Sequence, residues 1–173
     1  LGYEVEGWGN VVFTTTDDNS EDDFGDGGAK DNWLINTQVD LDDMWLQTYA
    51  YTEDDDTLGV VFNFQNAENY YAFWLIGTRG GSDTNASNPI DYSPQVRTVL
   101  VKVKDGEAEI LEETEQSYTR GTLMRLAAGA NDERVYGIVW MDYEADASDY
   151  DIYLNHQDDD PLPRGHAARS GQA

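Results

Sequence analysis

An all-β antiparallel β-sandwich is the fold class this chain predicts, and three observations carry it. Apolar residues recur at every second position in short runs, the period of a strand with one covered face. No segment keeps a helical period over about ten residues or more. Clusters of Gly, Asn, Asp and Pro separate the runs at short intervals, as in a sandwich or jelly roll.

The elements follow in chain order. Trp8 and Val11-Val12-Phe13 mark an opening strand within residues 1–16. Residues 17–32 are almost wholly Asp, Asn, Ser and Gly, the composition of a loop. Trp33, Ile35, Thr37 and Val39 alternate with Leu34, Asn36 and Gln38 and predict the next strand, with one mainly apolar face. In residues 45–52, Tyr49 and Tyr51 stand opposite Leu46, Thr48 and Ala50. Val60, Phe62 and Phe64 alternate in residues 58–65, and residues 70–76 are apolar on both faces, which suits a strand covered on two sides. Asn66-Ala67-Glu68-Asn69 joins these two as a hairpin turn. A long loop with Gly80-Gly81, Pro89 and Pro94 follows, including the glycosylation sequon Asn85-Ala86-Ser87.

Alternation in residues 96–104 places Val99, Val101 and Val103 inward and Lys102 and Lys104 outward. Asp105-Gly106 is a two-residue hairpin signal into residues 108–111. Residues 123–128 and 135–143 form two more strands around a turn, and residues 150–156 a last short one. From Asp158 the chain has no period and few large apolar residues, so residues 1–157 are expected to form one sandwich domain and 158–173 a flexible tail or linker.

Length and charge bound the function. At 173 residues the chain suits one domain and can bury a core without covalent staples. It has no cysteine and only two histidines, His156 and His166, which argues against disulfides and a structural zinc site. Asp and Glu number 35 against 10 Lys and Arg, a formal net charge of −25. That balance excludes nucleic acid, whose phosphates need concentrated cations, and anionic membrane surfaces. No run approaches the roughly 20 apolar residues of a membrane span, so no membrane insertion is expected. A start at Leu1 suggests a mature or excised module.

Most of the carboxylates form a solvated surface. Those beside turns carry a sharper expectation, because calcium takes six to eight oxygen ligands. Asp17, Asn19 and Glu21 place oxygens at alternate positions, with Asp22 adjoining, although Asp22 stands where an EF-hand needs Gly. Asp54, Asp55 and Asp56 directly precede a rigid strand, and Asp149 and Asp151 form a further candidate. Loops from distant strands meet at one end of a sandwich, so the first two groups can share a site.

Catalysis has little support: there is no nucleophile elbow, no Cys, and neither His lies in a motif. The cluster Glu107–Glu115 has no aromatic residue for stacking a sugar and reads as a solvated hairpin edge. Among the aromatics, Phe62, Phe64, Phe73 and Trp74 are expected in the core. Tyr49, Tyr51, Tyr70 and Tyr71 are expected to be more open and are the candidate ligand-binding residues.

Residues 52–65, TEDDDTLGVVFNFQ, followed by Asn69-Tyr70-Tyr71-Ala72-Phe73-Trp74, resemble the C-terminal lectin-like domain of thrombospondins. Trp8 with Val11-Val12, the strand at residues 99–104 and the segment 123–126 extend the resemblance along the chain. It implies a concanavalin-like jelly roll with structural calcium, in which Asp54, Asp55 and Asp56 are calcium-associated, and an extracellular role in adhesion to matrix or cell surfaces. The family's cysteine, its closing strand and its preceding calcium repeats have no counterpart here, and the acidity suggests a microbial protein. The expected function is thus a non-catalytic, secreted or cell-surface, calcium-binding attachment module of a larger protein, whose partners are calcium and a glycan or a cell-surface or matrix protein. The alternative is a carbohydrate-binding module, or a glycoside hydrolase or lyase, on the same sandwich.

Overall fold

A computed structural model describes residues 34–41, 44–53, 57–66, 68–77, 96–131, 134–163 and 165–171. Its strands are β1 (Leu34–Leu41), β2 (Met44–Ala50), β3 (Thr57–Asn66), β4 (Asn69–Ile76), β5 (Arg97–Lys104), β6 (Glu107–Thr114), β7 (Met124–Asn131), β8 (Arg134–Trp140), β9 (Ile152–Gln157) and β10 (Gly165–Gly171). They form a six-stranded sheet, in the order β1-β10-β3-β4-β5-β6, and a four-stranded sheet, in the order β2-β7-β8-β9. Every pairing within them is antiparallel. The all-β sandwich read from the alternation is the observed fold.

The sheets meet through one apolar cluster. Val60, Phe62, Tyr71, Phe73, Leu75 and Leu100 come from the six-stranded sheet, and Met124, Leu126, Ala128, Val135, Val139, Ile152 and Leu154 from the four-stranded one. Gly137 permits the closest approach: a Cβ there would lie 2.3 Å from the Phe73 ring. A second buried cluster, Val61, Ala72, Trp74, Ile76, Val99, Val101 and Val103, occupies the other face of the six-stranded sheet. Strands β4 and β5 are thus buried on both sides, which is why residues 70–76 are continuously apolar. Strand β6 closes the sheet with exposed Glu107, Glu109, Glu112 and Glu113, charges that blunt an edge against further pairing.

Local chemistry sets the turns. Asp105 and Gly106 both have positive φ (54° and 80°), the backbone that a two-residue hairpin needs and that Gly adopts without strain. Asn66 pairs with Asn69, and its Oδ1 accepts hydrogen bonds from the Glu68 amide (2.8 Å) and Asn69 Nδ2 (3.2 Å). Asn63 also has positive φ (50°), at a register shift between Phe62 and Asn66. This bulge reverses the alternation. Phe62 faces the intersheet core, whereas Phe64 is only half-buried and packs against the second cluster, 6.2 Å from the Tyr70 ring.

Two expectations need correction. Val99, Val101 and Val103 pack in the second cluster, Leu100 takes the intersheet side, and Lys102 follows it there rather than facing water. The buried ammonium needs a counter-charge. Asp158 supplies it: Lys102 Nζ lies 2.8 Å from Asp158 Oδ1, with the two side chains 5% and 6% exposed. Tyr71 Oη donates to Asp158 Oδ2 (2.7 Å) and accepts from the Leu162 amide (2.8 Å). Lys102 also donates to the Asp160 carbonyl, and Lys104 pairs with the Asp160 carboxylate.

The segment from Asp158 is therefore no tail. Leu162 joins the intersheet core, the Asn63 and Gln65 amides donate to the carbonyls of Leu162 and Pro163 (3.2 and 2.9 Å), and β10 then runs between β1 and β3. The expected opening strand around Trp8, the acidic loop at 17–32 and the loop at 79–94 lie outside the described residues.

Candidate functional site

The solvent side of the four-stranded sheet concentrates aromatic rings. On β2, Leu46 and Ala50 pack against the core, so Trp45, Gln47 and Tyr49 project outward. Pairing extends each of these into a row across the sheet. Trp45 is followed by Gly129, Tyr136 and Asn155; Gln47 by Ala127, Ile138 and Tyr153; Tyr49 by Arg125 and Trp140. Trp45 and Tyr49 are each 50% exposed, a large area of ring for side chains held in a sheet.

Each ring is braced by another. Gly129 has no side chain to separate Trp45 from Tyr136, and their rings close over it with centroids 5.6 Å apart and planes inclined by 33°. Tyr49 meets the edge of Tyr143 at 6.1 Å and 82°, and Tyr150 meets Tyr153 at 5.4 Å. Such pairs hold aromatic rings in fixed orientations.

Tyr143 lies between β8 and β9, in a connection pinned at three points. The Asp151 amide donates to the Val139 carbonyl (2.9 Å), and Asp151 Oδ2 accepts from the Met141 amide (2.7 Å). Arg125 Nη2 donates to the Ala145 carbonyl (2.7 Å), while its guanidinium sits 4.2 Å from the centroid of buried Trp140. That cation is occupied in holding the loop. The loop itself exposes Asp142, Glu144, Asp146, Asp149 and Asp151, so negative potential borders the aromatic face.

The four tyrosines expected to bind ligand divide between two environments. Tyr49 and Tyr51 are exposed, and Tyr51 Oη donates to Glu53 Oε1 (2.7 Å), a bond that raises the Tyr51 pKa. Tyr70 and Tyr71 are buried, which corrects the expectation for both. Burial pushes the Tyr70 pKa up to about 12. Burial, reinforced by the hydrogen bond to Asp158, raises that of Tyr71 as well, so its phenol stays a donor inside the core. The reason is strand order: β4 is central and covered on both faces, whereas β2 is an edge strand with one open face. Phe62, Phe73 and Trp74 are buried as expected.

Trp45, Tyr143, Tyr150 and Tyr153 complete the exposed set, with half-buried Tyr136 beside Trp45. The Trp45-Gln47-Tyr49 alternation was the legible signal for Trp45 alone. Asp149 accepts from the Ser148 hydroxyl (3.3 Å) and Asp151 is engaged as above. Among the described residues no group of three or more His, Asp or Glu is placed to hold a metal ion. Asp17, Asn19, Asp22, Asp54, Asp55 and Asp56 lie outside the described residues.

Comparison with solved structures locates the fold. The carbohydrate-binding module CBM66 from Bacillus subtilis is similar with a TM-score of 0.57 at 12% identity, over 92% of this chain and 83% of that one. Galectin-Ib from Xenopus laevis gives 0.55 at 9% identity, over 79% and 90%. CG-16, a homodimeric agglutinin from chicken liver, gives 0.53 at 11%, over 80% and 92%. The fold is an antiparallel jelly-roll β-sandwich. None of the three is a thrombospondin domain, so the resemblance noted in the sequence holds at the level of the sandwich. No protein-family description and no curated protein matches the chain.

Proposed function

We propose that the protein is a non-catalytic carbohydrate-binding module, serving attachment within a larger extracellular protein, and that its glycan lies on the outer face of the four-stranded sheet. The observation that carries this reading is the pair of half-exposed rings, Trp45 and Tyr49, each braced by a second ring. A pyranose presents a C–H face that stacks on an aromatic ring and hydroxyls that need amides and phenols around it. Gln47 and Asn155 supply amides beside the rings, and Tyr136, Tyr143 and Tyr153 supply phenols. The similarity to a carbohydrate-binding module supports the same ligand class.

The test is binding to a panel of immobilised polysaccharides, with wild type beside Trp45→Ala and Tyr49→Ala. The reading expects retention on at least one polysaccharide, and a loss of about tenfold or more in either variant, on the scale of one stacking contact. Retention unaffected in both variants, or no retention of wild type on any polysaccharide, overturns it. A calcium site formed by Asp54, Asp55 and Asp56 with Asp17, Asn19 and Asp22 is a separate proposal, carried by the spacing of the acids. A rise in melting temperature with calcium supports it, and none at millimolar calcium overturns it.

A further inference from the structure

The aromatic face is divided into stations along β2. The Trp45–Tyr136 pair lies at one end and the Tyr49–Tyr143 pair at the other. Exposed Gln47 stands between them, beside the fully buried Ala127 of β7. Four residue steps of strand separate Trp45 from Tyr49, about 13 Å at the usual rise per residue. A single pyranose ring cannot reach both.

We propose, resting on the carbohydrate-binding reading, that the ligand is an extended, non-anionic oligosaccharide running along β2, with separate sugar units stacked on the two stations. The span requires a chain of several units. Between the stations, Gln47 offers an amide that both donates to and accepts from the hydroxyls of an intervening unit. At the Tyr143 end the chain meets Asp142, Glu144, Asp146, Asp149 and Asp151, while Arg125 is spent on Trp140 and the Ala145 carbonyl. A uronate or sulfated chain would bring like charges together there, so those glycans are rejected. Two linked contacts also act as one intramolecular event, so affinity rises steeply once a chain is long enough to span both.

Calorimetry with neutral gluco-, xylo-, manno- and chito-oligosaccharides, each from the monosaccharide to the hexasaccharide, tests this, with oligogalacturonates as the anionic series. In at least one neutral series, affinity rises roughly tenfold or more up to the spanning length and then levels. In Trp45→Ala and in Tyr49→Ala the rise disappears, because one station remains. The oligogalacturonates do not bind. Equal affinity for monosaccharide and hexasaccharide, or tight binding of oligogalacturonates, overturns the inference while leaving carbohydrate binding intact, and wild-type affinity and length dependence in both variants overturns both. Absence of binding in every series removes both. Melting temperatures within about 2 °C of wild type confirm that the exposed-ring variants stay folded.

Discussion

Tyr71 and Tyr49 carry the same side chain in two regions built on opposite terms. Tyr71, on a central strand, gives its hydroxyl to buried Asp158 and takes the Leu162 amide in return. Around it Lys102 and Asp158 form an ion pair nearly excluded from water, which fastens the segment leading into β10. Tyr49, on an edge strand of the other sheet, leaves half its surface in solvent beside another ring. One phenol is spent inside the core, and the other ring stands half in solvent. The difference comes from strand position and the layer each side chain enters, because the residue type is shared.

Breaking the buried pair should give the largest effect. Lys102→Met leaves the Asp158 carboxylate buried without its counter-charge, and a loss of about 3–5 kcal/mol is expected in urea unfolding. Replacing both partners with apolar residues should recover much of that loss. The pair also fixes the acid limit. Burial acts to raise the Asp158 pKa, but hydrogen bonds from Lys102, Tyr71 and the Asp160 amide, with the Lys102 charge, outweigh it and hold the value below that of a free carboxyl. A lowered folded-state pKa contributes stability that is fully present above the unfolded value of about 3.9 and is lost as pH falls through the folded value. Melting temperature should therefore drop on acidification below about pH 4, and this part of the drop should be absent in Asp158→Asn, which starts from a lower neutral-pH value.

Tyr71→Phe comes next. It removes a donor from Asp158 and an acceptor from the Leu162 amide while keeping the ring stacked on Phe62, at 5.6 Å, so about 1–3 kcal/mol is expected by the same unfolding measurement. The smallest effect on stability belongs to the exposed face. Trp45→Ala should stay within about 1 kcal/mol of wild type, since half the ring is already in water and its brace is worth about that much. A large destabilisation by Trp45→Ala would make that face structural and erase the distinction.

Nine of the ten strands among the described residues could be read in the sequence because each satisfies a local rule. Alternation marked β2 and β3, double-sided burial marked β4, and Asp105-Gly106 marked the hairpin into β6. Strand β10 was not legible: Gly-His-Ala-Ala-Arg-Ser-Gly has no β-branched or large apolar residue and owes its place to its neighbours β1 and β3. Lys102 was misplaced for a related reason. Its partner Asp158 lies 56 positions away, and an Asp-Asp-Asp run looks solvated until a buried cation is brought to it. The bulge at Asn63 depends on backbone that the residue tolerates without requiring, so the reversal at Phe64 was hidden. At the candidate site, Tyr49 was readable from its opposition to Leu46 and Ala50. The brace from Tyr143 was not, because the loop at residues 141–151 is folded back by Asp151 and Arg125.

The most direct measurement is a backbone and indole NMR titration with the neutral oligosaccharide that binds most tightly. The account predicts shifts concentrated at Trp45, Gln47, Tyr49, Tyr136 and Tyr143, with the signals of Tyr71, Lys102 and Asp158 unmoved. Shifts centred on the six-stranded sheet, with the Trp45 indole unchanged at saturation, would contradict it.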